Sequence, residues 1–503
     1  MMKTQIKNRI PGALLSLLLA AVFVLFFGEC NTPLGPRVGS DNAMYLTMGT
    51  ALANGAAPYS DIFDHKGPLL FLLQMLPQLF AGGYSTLAVY LQEVLFLFAS
   101  LRILYAIAQR LCVKEDWLLQ LVYLACLGPA MDGGNLTEEY AALFILAGLY
   151  VALCVFDDGD ALREAPAKLV FPAALLGGFA MLAFLTRANN ALGLCGMTLG
   201  LAAYLLFTKR FAHLGFCALG FVAGMAVCAL PVIVWLAAHG ALWDAFYGSI
   251  LHNMMYANTG STSRVHTLLY TPYGHGAKLM AAVACLGAAA ALYRTRRLAV
   301  PMGLVLAAAM AGMSCFISHK FYSHYLMVLA PIATFGAAQI LALLPRACCC
   351  GRRRRVTAAL GALLVLVLVI FGAKANANRL NEIEIQGSFA QDAKDLYALV
   401  PEEDRASFMA YRVEPKWYVY TKALPCMRFY FLQEILADAD PAVMDEIVAE
   451  FESAPPKWLV IYYNRPFSPP YDARVAAIFE SAYESVDAKG QYQLLRLKGD
   501  GDA

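Results

Sequence analysis

Long apolar runs fill most of this 503-residue chain and limit the folds that it can adopt. Hydrophobic residues make up 60% of the sequence and charged residues 15%, whereas soluble domains carry about 25% charged residues. Many of the runs reach the roughly 17–25 residues that a helix needs to cross a bilayer. Since a lipid-exposed backbone must satisfy its own hydrogen bonds, the sequence predicts an α-helical polytopic membrane protein.

Basic residues between the runs predict how the helices are oriented. Lys3, Lys7 and Arg9 precede the first run, so the positive-inside rule places the N-terminus in the cytosol. The same rule places the later lysine- and arginine-rich loops in the cytosol if the chain crosses about eleven times. The predicted spans are residues 11–28, 86–108, 117–131, 140–156, 169–185, 191–207, 214–238, 277–292, 298–315, 325–344 and 356–373.

One apolar run, residues 68–80, is left out of the predicted spans. It is short, and Gln74, Pro77 and Gln78 interrupt it. A crossing at this point would move the later basic loops to the outer side. We therefore expect a re-entrant or interfacial helix over these residues.

The distribution of charge divides the chain into two parts. Residues 1–373 contain 24 basic and 15 acidic residues, whereas residues 374–503 contain 14 basic and 21 acidic residues. We predict a transmembrane domain over 1–373, with a first external loop at 29–67, and an extracytoplasmic α/β domain over 374–503. In this tail the patterns predict strands at 406–411, 458–463 and 492–497 and a helix at 474–483. A disulfide between Cys30 and Cys426 is left open.

The most unusual polar cluster lies in the first external loop. Charged groups at a membrane edge are costly unless water or a polar ligand meets them. The stretch from residue 39 to 70 contains Asp41, Tyr45, Tyr59, Asp61, Asp64, His65 and Lys66. The predicted topology places further polar residues on the same side, namely Glu138, Glu139, Arg187, Asn189, His319, Lys320, Tyr322 and His324. This concentration predicts a polar cavity that opens outward.

The order of residues in this loop resembles a known enzyme superfamily. Asp41 follows the first span, and P-Y-S-D-I-F-D-H-K-G-P-L follows at residues 58–69. This pattern is similar to that of the C-type (GT-C) membrane glycosyltransferases, especially the protein O-mannosyltransferases and the aminoarabinose transferases of lipid A. The resemblance implies a GT-C fold with a small C-terminal external α/β domain, and transfer of a hexose or pentose with inversion.

The resemblance also implies partners and roles. The donor would be a polyprenyl-phosphate sugar, and the acceptor a glycan, lipid or protein of the cell envelope on the outer face of the plasma (inner) membrane. Asp41 matches the presumed general base, and Lys66 matches the lysine that contacts the lipid phosphate. This chain has K-G-P-L where the family has K-P-P-L, and Gln92 and Glu93 where an arginine is often found. We expect Arg187 to replace that arginine, and the other outer-side residues to bind substrate.

Each of these residues also has a simpler structural interpretation. Asp41 could cap a helix, Asp61 and Asp64 could order a turn, and Lys66 could reach toward lipid head groups. The remaining candidates could act at helix ends or as interfacial hydrogen-bonding groups, and these are Glu138, Glu139, Arg187, His319 and His324.

Other functions remain as alternatives. A transporter or flippase for lipid-linked saccharides would carry polar groups at the bilayer midplane. A polymerase would carry a large arginine-rich loop in its later half, whereas residues 240–276 contain a single arginine, Arg264. We expect no nucleic-acid partner, and neither a P-loop nor a Rossmann glycine pattern is present. No organic cofactor is expected, and a divalent metal is left open.

Overall fold

The computed structural model describes residues 2–30, 37–157, 160–344, 350–462 and 472–499. The chain separates into two compact units, each assembled from three segments. The first unit consists of Met1–Gly28, Tyr90–Val234 and Ser261–Ala377. The second unit consists of Glu29–Val89, Trp235–Gly260 and Asn378–Ala503. The last segment of the first unit ends at Ala377, near the predicted domain boundary at residue 373. The first loop, which was predicted to belong to the transmembrane domain, is part of the second unit together with the C-terminal residues.

The first unit is built from helices. Its α-helices in chain order are Met2–Phe27, Thr86–Arg110, Asp116–Leu127, Thr137–Phe156, Val170–Thr186, Leu192–Phe207, Phe211–Ala238, Arg264–Tyr270, Pro272–Thr295, Ala299–Cys315, Ala330–Leu341 and Cys350–Asn376. Short 3-10 helices lie at Gly128–Ala130, Asp160–Arg163, Pro166–Leu169, Ala188–Ala191 and Ser323–Leu329.

Among the described residues, eight helices are long and apolar enough to cross a membrane. Shorter apolar helices at Gly12–Phe27, Asp116–Ala130 and Ala299–Cys315 cover the other three predicted spans. The apolar runs therefore form the helices that their length predicted, and the chain is a multi-pass helical membrane protein.

Glycines allow two helices of the first unit to approach closely. A Cβ atom on Gly200 would lie 2.5 Å from the backbone of Gly303, which is in the helix Ala299–Cys315. A Cβ on Gly196 would collide with the carbonyl of Leu306 in the same helix. Small residues permit such backbone contact, and this contact favours helix association in lipid.

The second unit combines the first loop, residues 235–260 and the tail. Its helices are Ser40–Ala53, Pro68–Ala81, Leu242–Phe246, the π-helix Tyr247–His252, Asn253–Ala257, Arg379–Tyr397, Lys416–Thr421, Gln433–Ala439, Ala442–Ser453 and Ala473–Ala482, with a 3-10 helix at Glu402–Ser407. Pro68–Ala81 has 14 residues and ends at Gly82, whose φ is 71°. At about 1.5 Å per residue this helix is shorter than the roughly 30 Å hydrocarbon core, in agreement with the predicted short helix.

A four-stranded sheet forms the centre of the tail. Its strands are β1 (Phe408–Ala410), β2 (Trp458–Tyr462), β3 (Tyr483–Lys489) and β4 (Tyr492–Leu497), in the order β1-β2-β4-β3. β1 pairs with β2 in parallel, and the other pairs are antiparallel. The predicted helix and the strand at 492–497 are confirmed, and the other two predicted strands correspond to β1, which is shorter than predicted, and to β2, whose last predicted residue lies outside the described residues. β3 was not predicted because it is a bulged edge strand in which Glu484, Asp487 and Lys489 interrupt the apolar residues.

Cys30 and Cys426 are both free thiols in the second unit, so the disulfide left open by the sequence is not formed. Cys30 is buried, and its Sγ donates a hydrogen bond to Asn42 Oδ1 at 3.3 Å. Asn42 follows Asp41 directly, so Cys30 contributes to the packing at the start of the helix Ser40–Ala53.

The orientation in the membrane remains a prediction that labelling can test. Lys114 follows the helix Thr86–Arg110, and Glu452 lies in the tail helix Ala442–Ser453; both are exposed. We expect a membrane-impermeant maleimide to modify Lys114→Cys only after permeabilisation, and Glu452→Cys in intact cells. Peptide mass spectrometry separates these sites from the native cysteines. Protection of Glu452→Cys in intact cells would contradict the external tail.

Candidate active site

The first loop begins with the helix Ser40–Ala53, and Asp41 lies in its first turn. Gly39 occupies the N-cap position, so Asp41 is not the cap. Asn42 to Leu52 are all buried, whereas Asp41 is exposed. A carboxylate is stabilised at the positive end of a helix dipole. Asp41 therefore presents an accessible carboxylate in the first turn of this helix.

Tyr59 shapes the turn between the two helices of the loop. Its φ of 62° lies in the left-handed region, which costs a residue with a side chain about 1 kcal/mol or more. The buried ring stacks on Phe71 with centroids 4.2 Å apart, and its hydroxyl donates to the Lys66 carbonyl at 2.7 Å. These contacts hold the strained turn and fix the backbone at Lys66.

Asp64, His65 and Lys66 form a compact charged group. Asp64 Oδ1 lies 3.3 Å from His65 Nδ1 and 3.8 Å from Lys66 Nζ, while Lys66 Nζ lies 3.1 Å from His65 Nε2. Asp64 and His65 are buried, and the Lys66 side chain is 13% exposed. Lys66 thus reaches the surface while its ammonium stays next to a buried carboxylate.

Burial raises the pKa of the Asp64 carboxyl; the Lys66 charge lowers it and the Asp41 charge raises it further. Neither Asp64 oxygen accepts a well-aligned hydrogen bond, although the amides of His65 and Lys66 lie near enough to favour the anion. Since the Asp41 charge acts on Asp64, the two carboxylates belong to one electrostatic group. The Lys66 ammonium partly compensates the negative charge of these carboxylates.

Residues 247–257 pack against this charged group. The π-helix Tyr247–His252 precedes Asn253, whose amide donates to the carbonyls of His65 and Ser249. The Tyr256 ring lies 4.9 Å from the His65 ring. π-helical turns are rare and frequent at functional sites. In the sequence, the polar pair His252-Asn253 was the feature that could have indicated a functional role for this segment.

Arg428 joins the three segments of the second unit. Its Nε donates to the Tyr59 carbonyl at 2.8 Å, its Nη1 to Glu446 at 2.7 Å and its Nη2 to Asp244 at 3.1 Å. The Phe63 amide in turn donates to the Arg428 carbonyl at 3.0 Å. No local sequence pattern marked Arg428, because its partners are distant in the chain.

Asp61 lies apart from the charged group. It is exposed, and its Oδ2 accepts the Ala57 amide at 2.8 Å. It lines a polar cavity of about 220 Å³ together with Arg428 and Glu450. Asp61 therefore orders the turn, as the structural interpretation predicted, and also faces space that a small ligand could enter.

A buried ion pair organises the predicted residues of the first unit. Arg187 Nη1 donates to Glu138 Oε1 at 2.9 Å, and Nη2 donates to the Tyr325 hydroxyl at 3.2 Å. The guanidinium also lies 4.6 Å from the Tyr325 ring centroid. Thr137 donates to the second Glu138 oxygen at 2.6 Å. The sequence identified Arg187 and Glu138 separately but could not show that they are partners.

The remaining predicted residues of the first unit have different surroundings. His324 Nδ1 lies 3.2 Å from Asp132, and its ring stacks on Tyr322. The backbone amide of Asn135 donates hydrogen bonds to the carboxylates of Glu139 and Glu93. His319 Nδ1 lies 3.0 Å from the Thr262 carbonyl. His319 and Lys320 are both half-buried, and Asn189 lies in the 3-10 helix Ala188–Ala191. Of this set, Tyr322 and His324 are in direct contact.

Metal binding has no obvious place among the described residues. No group of three or more histidine, cysteine, aspartate or glutamate side chains there is arranged to hold a metal ion.

No protein-family model and no curated protein sequence matches the chain. Solved structures do match its fold. One is ArnT from Cupriavidus metallidurans bound to undecaprenyl phosphate, with a TM-score of 0.64, 14% identity, and coverage of 96% of this chain and 97% of ArnT. Another is the oligosaccharyltransferase AglB from Archaeoglobus fulgidus with an inhibitory peptide and a dolichol-phosphate, with a TM-score of 0.52, 11% identity, and coverage of 98% and 74%.

These similarities extend over nearly the whole chain. They show that it has the fold of the C-type membrane glycosyltransferases. The fold predicted from the resemblance is therefore confirmed.

Proposed function

We propose that this protein is an inverting glycosyltransferase that moves a hexose or pentose from a polyprenyl-phosphate donor to a cell-envelope acceptor. The acceptor would be a glycan, lipid or protein at the outer face of the plasma membrane. The observation that carries the proposal is the folded first loop, in which an exposed Asp41 and the Lys66 ammonium belong to one charged group with buried Asp64.

Asp41 would act as the general base. In the transfer step, the acceptor oxygen forms a bond to the anomeric carbon while the bond from that carbon to the phosphate oxygen breaks. The acceptor proton passes to the carboxylate, and the bonding electron pair leaves with the lipid phosphate. A base in this role must be ionised and accessible. Asp41 is accessible because it is exposed in the first turn of its helix.

Lys66 would stabilise the leaving phosphate. It precedes Gly67 and Pro68 at the N-terminus of the helix Pro68–Ala81, where amide groups and the helix dipole also favour anions. Asp64 and His65 restrain the ammonium, so little reorganisation is needed when charge develops on the phosphate.

Two matched structures support a lipid-phosphate ligand. The ArnT structure contains undecaprenyl phosphate, and the AglB structure contains a dolichol-phosphate. Both molecules are polyprenyl phosphates, and both were found on proteins that share the fold of this chain. We extend this class of ligand to the present protein as part of the proposal.

The other predicted residues also have proposed roles. Arg187 would be a second cation for the donor phosphate, although Glu138 already neutralises it in this structure. The proposed substrate-binding residues are Tyr59, Asp61, Asp64, His65, Glu138, Glu139, Asn189, His319, Lys320, Tyr322 and His324. Among these, the buried side chains act by holding charged groups in place, and the exposed ones would contact substrate.

The donor role of Lys66 can be tested directly. We expect Lys66→Ala to weaken binding of a polyprenyl-phosphate sugar about 10- to 100-fold, because a charged hydrogen bond is worth about 1.5–3 kcal/mol. Binding and sugar consumption would be measured for the purified protein in nanodiscs with a panel of polyprenyl-phosphate sugars. Lys66→Arg should retain most of the binding.

The matched control is Lys422→Ala, which removes an exposed lysine from the same unit. It should bind and consume the donor like the wild-type protein. Equal donor affinity in Lys66→Ala and Lys422→Ala would remove Lys66 from the phosphate site. Consumption of none of the donors by the wild-type protein would count against the proposed function itself.

A further inference from the structure

A second polar cavity of about 410 Å³ lies in the second unit. Its volume falls within the roughly 300–1,000 Å³ of small-molecule binding sites. Four parts of the chain line it: the start of the first loop, the helix Arg379–Tyr397, the helix Lys416–Thr421 with Glu414 just before it, and the sheet with its turn at Gln491. None of the residues assigned above to the transfer reaction lines this cavity.

Aromatic side chains form one wall of the cavity. The Tyr462 and Tyr492 rings are stacked, with centroids 5.9 Å apart and an interplanar angle of 18°. Tyr492 is buried and also packs edge-to-face on Trp417. The stack is therefore rigid, and half-buried Tyr462 presents part of its ring to the cavity.

Charged side chains of both signs form the rest of the lining. Arg37 Nη1 lies 2.8 Å from Glu382 and Nη2 lies 3.9 Å from Glu29, while Lys416 pairs with Glu414 at 3.0 Å. The charges of these three carboxylates and two cations nearly cancel. Such a lining offers many hydrogen-bonding groups without a strong net charge, and so favours a polar but uncharged ligand.

One residue that lines the cavity is close in sequence to the proposed base. Gly39, which lines it, lies two residues before Asp41. A Cβ atom at Gly39 would collide with the Glu29 carboxylate, so only glycine allows Glu29 to take this position. A ligand in the cavity would therefore contact the backbone that leads directly into the helix carrying Asp41.

We propose that this cavity binds a saccharide segment of the acceptor and thereby directs an acceptor hydroxyl toward the reaction. The inference rests on the proposed function and narrows its acceptor to one that contains carbohydrate. A sugar ring has a face of C–H groups, which packs on an aromatic ring, and a rim of hydroxyl groups, which pair with carboxylates and amides. The cavity supplies both surfaces.

Binding of saccharides can be measured without the transfer reaction. The full-length protein in nanodiscs would be applied to a printed array of bacterial-envelope oligosaccharides, and the best-bound compound titrated. Tyr462→Ala removes the aromatic wall, and Glu414→Gln removes one charged acceptor from an exposed position with little effect on folding. We expect each change to weaken binding about tenfold.

Two control variants accompany these changes. Tyr462→Phe keeps the ring, and Glu452→Gln alters an exposed carboxyl that does not line the cavity. Both should bind the saccharide like the wild-type protein. Absence of saccharide binding, or equal binding by Glu414→Gln and Glu452→Gln, would overturn the inference.

A parallel peptide array separates the other class of acceptor. Binding of peptides at this cavity, lost in Glu414→Gln, would replace the saccharide proposal with a protein acceptor. The transfer assay separates this inference from the proposed function. Saccharide binding that depends on Tyr462 and Glu414, without donor consumption, would support the cavity and contradict the glycosyltransferase. Donor consumption with saccharide binding unaffected by these variants would support the glycosyltransferase and contradict the role of the cavity.

Discussion

The Asp41→Asn variant should transfer sugar about 10²- to 10⁴-fold more slowly than the wild-type protein while folding normally, because general base catalysis is typically worth this factor. Asparagine keeps the size of the side chain but cannot accept the acceptor proton. Asp41 is exposed and does not cap its helix, so a structural role is limited to its favourable interaction with the helix dipole, worth about 0.3–1 kcal/mol. Turnover with a lipid-linked sugar and thermal unfolding would be measured together.

Asp438→Asn is the matched control, since Asp438 is another exposed aspartate in a helix of the same unit. It should leave turnover unchanged. If Asp41→Asn turned over at the wild-type rate, the base would have to be another carboxylate, and Asp61, Asp64 and Glu138 would be tested next by the same substitution.

Arg187→Ala should destabilise the protein by about 3–5 kcal/mol, because it leaves the Glu138 carboxylate buried without its ionic partner. Thermal unfolding in detergent or nanodiscs measures this loss. Arg294→Ala provides the comparison, since Arg294 pairs with Asp157 in the same unit but was not assigned to the site. Its variant should lose stability yet retain donor binding in the folded fraction.

The double variant Arg187→Ala/Glu138→Gln separates structural and functional roles of this pair. Removing the Glu138 charge should restore much of the stability, because no buried carboxylate is left unpaired. If Arg187 also binds the donor phosphate, donor affinity should stay low in the double variant. Recovery of both stability and donor affinity would make the pair purely structural.

The sequence predicted those features that depend on local pattern. Apolar length predicted the helices of the first unit, and the short interrupted run predicted the helix Pro68–Ala81. A short apolar run predicted β2 and alternation predicted β4, and the two strands lie side by side in the sheet. The motif around Lys66 indicated which loop would carry the charged group.

The sequence could not show contacts between distant residues. Arg187 and Glu138 are separated by 49 positions, and either could have served as an interfacial group. Likewise, nothing near Glu29 or Tyr462 indicated that both would line one cavity. Side-chain partners of this kind depend on how segments pack in three dimensions, and a single sequence records them only indirectly.

The three hydrogen bonds of Arg428 have a consequence for the timing of biosynthesis. Tyr59, whose carbonyl Arg428 holds, is separated from it by 369 residues. At about 5–20 residues per second, ribosomes need about 20–70 s to synthesise that interval. Throughout this time the nascent chain already contains Asp41 and Lys66 but lacks the guanidinium that fixes their loop. A chain released before residue 428 would therefore carry the proposed base and the proposed phosphate-binding lysine without their final geometry, so the proposed activity should arise only after Arg428 has been synthesised.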